Sequence, residues 1–193
     1  MRKLIVSEFI SLDGVVEAPG GEPGYKHSGW VVPFTGQEQL QYKLDEVLEA
    51  EALLLGRVTY EGFAEAWPPR SDEAGFADKM NSMPKYVAST TLAGELAWNN
   101  STLLEGDVPA AVAQLKEGDG GPILVAGSAT LVQALVEHDL VDEYRMMVFP
   151  VILGSGKRLF PDDIADKIDL EPVDTQSFAS GVAVHTYRAK RGG

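Results

Sequence analysis

The sequence predicts an α/β fold: a mostly parallel central sheet with an antiparallel strand at its C-terminal end and helices on both faces. Three observations carry that expectation. Short apolar runs alternate with helical patterns along most of the chain. Three of those runs, in LLLGRVTYEGF from Leu53, KYVASTTL from Lys85 and PILVAGSATLVQAL from Pro122, end in small or hydroxyl residues at a turn or helix start. The last two strand-like runs, 143–151 and 182–188, follow one another without a helical pattern between them. At 193 residues, with no repeat and no linker-like stretch, one domain with a sizeable core is expected over 1–193.

Taken in order, residues 4–11 read as a buried central strand, and Leu12-Asp13-Gly14 turns it into a Gly- and Pro-rich loop running to Pro33. Thr35-Gly36-Gln37-Glu38 has the form of a capping box, with Leu40, Leu44, Val47 and Leu48 spaced along one helical face. A strand at 53–55 leads into a helix at 59–66, which Trp67-Pro68-Pro69 ends, and 76–80 forms one more turn. Strands at 86–89 and 101–104 precede a helix at 108–116, closed by Gly118-Asp119-Gly120-Gly121. A strand at 123–126, a helix at 131–136 and the strand at 143–151 follow, and Gly154-Ser155-Gly156 reads as a hairpin-type turn. The apolar positions Val182, Val184 and Tyr187 in the last strand suggest an edge that needs covering, and hence a homodimer.

Composition narrows the function. With 16 Lys plus Arg against 29 Asp plus Glu, the formal charge is -13, which opposes nucleic acid and anionic membrane as partners. The absence of cysteine removes disulfides, thiolate metal sites and a cysteine nucleophile. His27, His138 and His185 stand apart with no ligand spacing, so no metal site is expected. Glu8 and Asp13 interrupt the N-terminal run before a signal-peptide core forms, and no window reaches the roughly 18 apolar residues of a membrane span. A cytoplasmic location is the default.

The chemistry gathers at the strand ends. Gly56-Arg57-Val58-Thr59 lies at a strand-to-helix junction, where unpaired N–H groups favour a phosphate, Thr59 can donate a hydroxyl and Arg57 a planar cationic fork. Ser89, Thr90 and Thr91 follow a strand with hydroxyls suited to a ribose phosphate. Ala126-Gly127-Ser128-Ala129-Thr130 precedes a helix, its small residues allowing backbone to approach a pyrophosphate. Each motif alone has a plain structural reading as a turn, a cap or a polar strand exit. No GxGxxG follows a strand, and Gly154-Ser155-Gly156-Lys157 lacks both the upstream Gly and the Ser or Thr of a phosphate loop.

The order and wording of these segments resemble the dihydrofolate reductase superfamily, specifically bacterial proteins related to the reductase domain of riboflavin-biosynthesis enzymes, over nearly the whole chain. The resemblance implies an NADPH-dependent reductase. It implies cofactor contacts from Ser7, Gly14, Gly56, Arg57, Thr59, Ser89, Thr90, Gly127, Ser128, Ala129 and Thr130, with nicotinamide against residues 7–15 and the loop 16–30 as a lid. It also implies a cis peptide where relatives carry Gly-Gly and this chain has Ala126-Gly127. Trp30-Val31-Val32-Pro33 resembles the Trp-x-x-Pro of dihydrofolate reductases, but Thr35 stands where their proton-donating acid would be, with Glu38 one turn on. Ser11-Leu12-Asp13-Gly14 matches the riboflavin-pathway domain, whose Lys and Arg are Ser7 and Val15 here. Asp13, Thr35 and Glu38 are the catalytic candidates, and Trp30, Tyr60 and Trp67 the candidate lining for a planar substrate. Two alternatives stay open: a nucleotide-binding module without turnover, and a flavin- or deazaflavin-using reductase of the same fold.

Overall fold

The computed structural model describes residues 1–162 and 167–190. Its elements are β1 (Leu4–Ser11), α1 (Gln37–Glu49), β2 (Ala52–Gly56), α2 (Arg57–Ala66), α3 (Phe76–Ser82), β3 (Lys85–Ala88) and β4 (Ser101–Leu104). There follow α4 (Val108–Glu117), β5 (Ile123–Val125), α5 (Ala129–Glu137), β6 (Glu143–Phe149), β7 (Leu170–Ser177) and β8 (Ala183–Ala189). The eight strands form one sheet in the order β4-β3-β2-β5-β1-β6-β8-β7. The first six are parallel to their neighbours, and β8 and β7 are antiparallel.

Both faces are covered, as continuous apolar strands require. Leu4, Val6, Leu54, Ile123 and Val125 pack with α4 and α5 on one face. On the other, Ile5, Leu53, Leu55 and Leu124 pack with α1, α2 and α3 around Trp98. A third cluster, under β6 and β8, gathers Val15, Trp30, Val31, Met147, Phe149 and Val184.

Several expectations need correction. The capping box does not form: Gly36 is the N-cap of α1 and makes no side-chain bond, while Thr35 donates from Oγ1 to the Val31 carbonyl at 3.3 Å. Glu38 instead accepts from the Ala179 N–H at 3.2 Å, a partner 141 residues away. Helix α1 is also rotated from its expected face. Leu40 and Leu48 are exposed, whereas Gln39 and Glu46 are buried, because α1 covers polar positions of β1 and β6. There Glu46 accepts from Ser7 Oγ at 2.9 Å and pairs with Lys43 and, at 3.7 Å, with Arg145.

The strand β7 was not anticipated. All eight of its residues are exposed, so it has no buried alternate face to read. It covers β8, leaving Val182 and Val184 buried within the chain, so the last strand is not an edge. Among the described residues Gly154-Ser155-Gly156 joins no hairpin either, since β6 ends at Phe149 and the next described strand begins at Leu170. Residues 155–158 lie against the exit of β1: Val16 N–H donates to the Lys157 carbonyl at 2.9 Å, Lys157 N–H to Glu17 at 2.8 Å, and Tyr25 to the Ser155 carbonyl at 2.6 Å. Gly156 has φ +121, and a Cβ there would sit 2.7 Å from Val15 Cγ1, which explains the small residue.

Candidate nucleotide site

The three strand ends singled out by sequence belong to β3, β2 and β5, which are consecutive in the sheet. Because these strands are parallel, their C-terminal ends open on the same side, the usual place for a ligand in such a sheet. Gly56 pairs with Ala88 in register, so Ser89 leaves β3 one residue above the level of Gly56. Gly56 N–H donates to the Gly127 carbonyl at 3.1 Å, joining two of the motifs directly.

The close approach depends on missing side chains. A Cβ on Gly127, at φ +100, would lie 2.8 Å from Thr59 Oγ1, and one on Gly56 would collide with Ser128 Oγ and approach the Ser128 nitrogen to 3.0 Å. The cis peptide lies between Gly127 and Ser128, one bond later than the resemblance implied. Helices α2 and α5 therefore begin side by side. Neither N-cap, Gly56 or Ser128, uses a side chain to satisfy the first-turn N–H groups, so both ends face the same space with donor capacity and positive dipole ends.

Around this centre, Arg57 is half exposed and, among the described residues, pairs with Glu61 at 2.8 Å, a surface contact of small worth that a phosphate can displace. Ser89 Oγ accepts from the N–H groups of Thr91 at 3.1 Å and Leu92 at 2.9 Å and shares a further hydrogen bond with Thr91 Oγ1 at 3.4 Å, and Thr90 and Thr130 are exposed. Ala129 is buried at the start of α5.

On β1, Ser7 is buried in the Glu46 network and accepts from Lys43 Nζ at 2.9 Å. Asp13 accepts from Ser11 Oγ at 2.7 Å and from the N–H groups of Leu153 at 3.1 Å and Gly154 at 2.8 Å. These bonds hold its carboxyl down at about 2, the Ser11 hydroxyl contributing most. Its role in the structure is to tie the β1 exit to the segment after β6. Gly14, at φ +83, follows in that turn, and Arg158 donates to the Asp13 carbonyl.

The three aromatic candidates do not share one pocket. Tyr60 accepts from the Trp98 N–H at 2.9 Å and lies with Trp67 in the cluster under β2 and β3. Trp67 packs on Phe76, with ring centroids 5.0 Å apart. Trp30 belongs to the cluster under β6, edge-on to Phe149 at 5.3 Å, with its indole N–H on the Glu17 carbonyl at 2.8 Å. Burial in separate clusters explains the split. Glu38 borders an open depression of about 590 Å³ formed with Gln37, Gln41, Tyr42, Asp45 and Gln176, on the α1 side rather than at the strand ends. Thr35 lies just before this helix, and neither it nor Glu38 belongs to the Gly56–Gly127 cluster.

One residue that sequence reading passed over is Glu8, whose Oε1 is shut off from solvent without a hydrogen-bond partner. Burial raises its carboxyl to about 8, with Lys43 pulling it down and Glu46 pushing it up. Its only signal in the sequence is a charged residue inside a strand that otherwise carries apolar residues and two serines. Among the described residues no helix is long and apolar enough to cross a membrane, and no three His, Asp or Glu side chains group as a metal site.

The parallel sheet closed by an antiparallel pair is the dihydrofolate reductase-like fold. A dihydrofolate reductase from Enterococcus faecalis complexed with NADP(H) superposes over 98% of this chain and 97% of its own, with a TM-score of 0.62 at 15% identity. The chain belongs to the RibD C-terminal domain family, whose model matches residues 2–184. It is 30% identical to the uncharacterized protein YyaP of Bacillus subtilis over 96% of this chain and 94% of that one. A Shewanella protein provisionally assigned to riboflavin biosynthesis has the same fold, with a TM-score of 0.73 at 22% identity, over 98% of this chain and 99% of its own.

Proposed function

We propose that this chain is an NADPH-dependent reductase acting on a small planar heterocyclic, imine or carbonyl compound, the riboflavin-pathway pyrimidine being one member of that class. The observation that carries the reading is the junction of Gly56, Thr59, Gly127 and Ser128, whose close packing sets two helix starts side by side with first-turn N–H groups that no N-cap side chain satisfies. Bound there, the cofactor supplies a hydride. The chain's residues bind and orient: helix N–H groups and Thr59 receive the pyrophosphate, and Arg57 with Ser89 and Thr90 receives the 2′-phosphate. The loop 16–30, hydrogen-bonded to the segment 155–158, shields the reacting end from water.

Parallel titration with NADPH, NADH and flavins tests this reading. NADPH binds preferentially, and Arg57→Ala weakens it about tenfold, the worth of one charge-assisted hydrogen bond, while NADH affinity stays unchanged. A bound flavin with no NADPH affinity would move the carrier to flavin or deazaflavin. A second reading, a nucleotide-binding module without turnover, is favoured by Thr35 and Glu38, whose polar atoms are engaged by the Val31 carbonyl and the Ala179 N–H. Stoichiometric NADPH consumption with any substrate would remove it.

The homodimer forms part of the proposal, with the exposed β7 strand as its available edge. Sizing at micromolar concentration then shows a species twice the 20.8 kDa chain; a clean monomer would contradict it.

A further inference from the structure

We propose that the groove between α2 and the loop joining β3 to β4 binds a small organic cation, a primary amine on an apolar body, and that this ligand strengthens the grip on a 2′-phosphate at the neighbouring strand end. Binding of the amine stands by itself; the coupling rests on the dinucleotide reading above.

The groove holds about 400 Å³, within the range of small-molecule sites. Its floor is apolar and half-buried, with Ala64 on the α2 side and Leu92 and Leu96 on the loop side. Its rim carries three exposed carboxylates, Glu61 and Glu65 from α2 and Glu95 from the loop, and no Lys or Arg lines it. Among the described residues neither Glu65 nor Glu95 forms an ion pair. An apolar floor under an acidic rim selects a ligand with both properties. The apolar body leaves water on the floor, while the ammonium stays at the wet rim, where its charge keeps its hydration. An acid of the same shape meets like charge there, and the formal charge of -13 on the chain favours a cation further.

Both walls of the groove run into the groups assigned to the 2′-phosphate. On α2, Arg57 lies one turn before Glu61 and pairs with it at 2.8 Å, so Glu61 competes with a phosphate for the guanidinium. An ammonium set against Glu61 takes the place of Arg57 and removes that competition. On the loop, the Leu92 N–H donates to Ser89 Oγ at 2.9 Å, so a ligand packed on Leu92 steadies the turn that presents Ser89. The coupling is reciprocal, as linkage requires: a 2′-phosphate that draws Arg57 away leaves Glu61 to the amine. NADH, which lacks that phosphate, takes no part in it.

Calorimetry at pH 7 tests the proposal with 4-phenylbutylamine, a cation there as lysine is, and with 4-phenylbutanoate, which has the same body and the opposite charge. The amine saturates wild type with a Kd on the order of 1 mM, ordinary for a ligand of that size, and the acid binds about tenfold more weakly or less. Glu65→Gln combined with Glu95→Gln weakens the amine roughly fivefold and leaves NADPH affinity within about twofold. Saturating amine raises NADPH affinity roughly two- to fivefold, the worth of one exposed ion pair, and leaves NADH affinity unchanged. Glu61→Gln, in which Arg57 is already free, binds NADPH tighter by that same factor without the amine and gains nothing from it. Equal binding of amine and acid, or no saturable amine binding, would overturn the site. An amine that binds without changing NADPH affinity, or that changes NADH affinity as much, would overturn the coupling. If wild type binds neither dinucleotide, the dinucleotide reading fails together with the coupling, and saturable amine binding then supports the groove alone.

Discussion

Gly127→Ala is expected to destabilise the protein by roughly 2–4 kcal/mol, combining the left-handed backbone penalty with a packing clash, and to abolish measurable NADPH binding. At φ +100 the position lies where residues with a Cβ are strained, and the new methyl would stand 2.8 Å from Thr59 Oγ1. Thr59 cannot retreat freely, because α2 is anchored below it by the buried Tyr60. Gly94→Ala provides the comparison: its φ is +81, but nothing lies within 4 Å of the added carbon, so it reports backbone strain alone. Denaturant unfolding of both variants separates the two terms. If Gly127→Ala loses no more than Gly94→Ala, the helix starts are not in contact as described.

The second large effect concerns Glu8 and stability. Its folded carboxyl titrates at about 8 and its unfolded carboxyl near 4.5. Below 4.5 the group is neutral in both states. Between 4.5 and 8 the unfolded chain releases a proton that the folded chain keeps, so stability falls as pH rises, then levels off above 8. At about 1.4 kcal/mol per pKa unit, the full loss is on the order of a few kcal/mol. Glu8→Leu removes that loss, so its Tm advantage over wild type grows from pH 4.5 to pH 8 and then stays constant. A difference that does not vary with pH would mean that the folded carboxyl is ionised like any exposed acid.

The parallel core was legible because its signals are local and reinforced by burial. Leu53-Leu54-Leu55 and Ile123-Leu124-Val125 are continuous apolar runs, and each ends at the small residues that release it into a helix. Strand β4 was placed at its observed bounds, 101–104. The junction of these strand ends was legible for the same reason: Gly56 and Gly127 mark places where backbone must pass close to something. What failed depends on distant partners. Glu38 looks like a capping residue until Ala179 is brought to it, and Leu40 and Leu48 read as a core stripe until Ser7 and Arg145 turn the helix the other way. β7 carries no alternation because neither of its faces meets the core. Glu8 read only as a break in the N-terminal apolar run, and its burial without a partner depends on elements far along the chain.

The position of β1 sets a condition on biosynthesis. Its Leu4, Ile5 and Val6 are at most 1% exposed in the finished protein, yet the strands on either side begin at Ile123 and Glu143. At about 5–20 residues per second, the ribosome leaves this segment without either neighbour for on the order of ten seconds. During that interval the first apolar strand to emerge is a sticky nascent segment, and a pause before residue 123 would lengthen its exposure to chaperones and to other nascent chains.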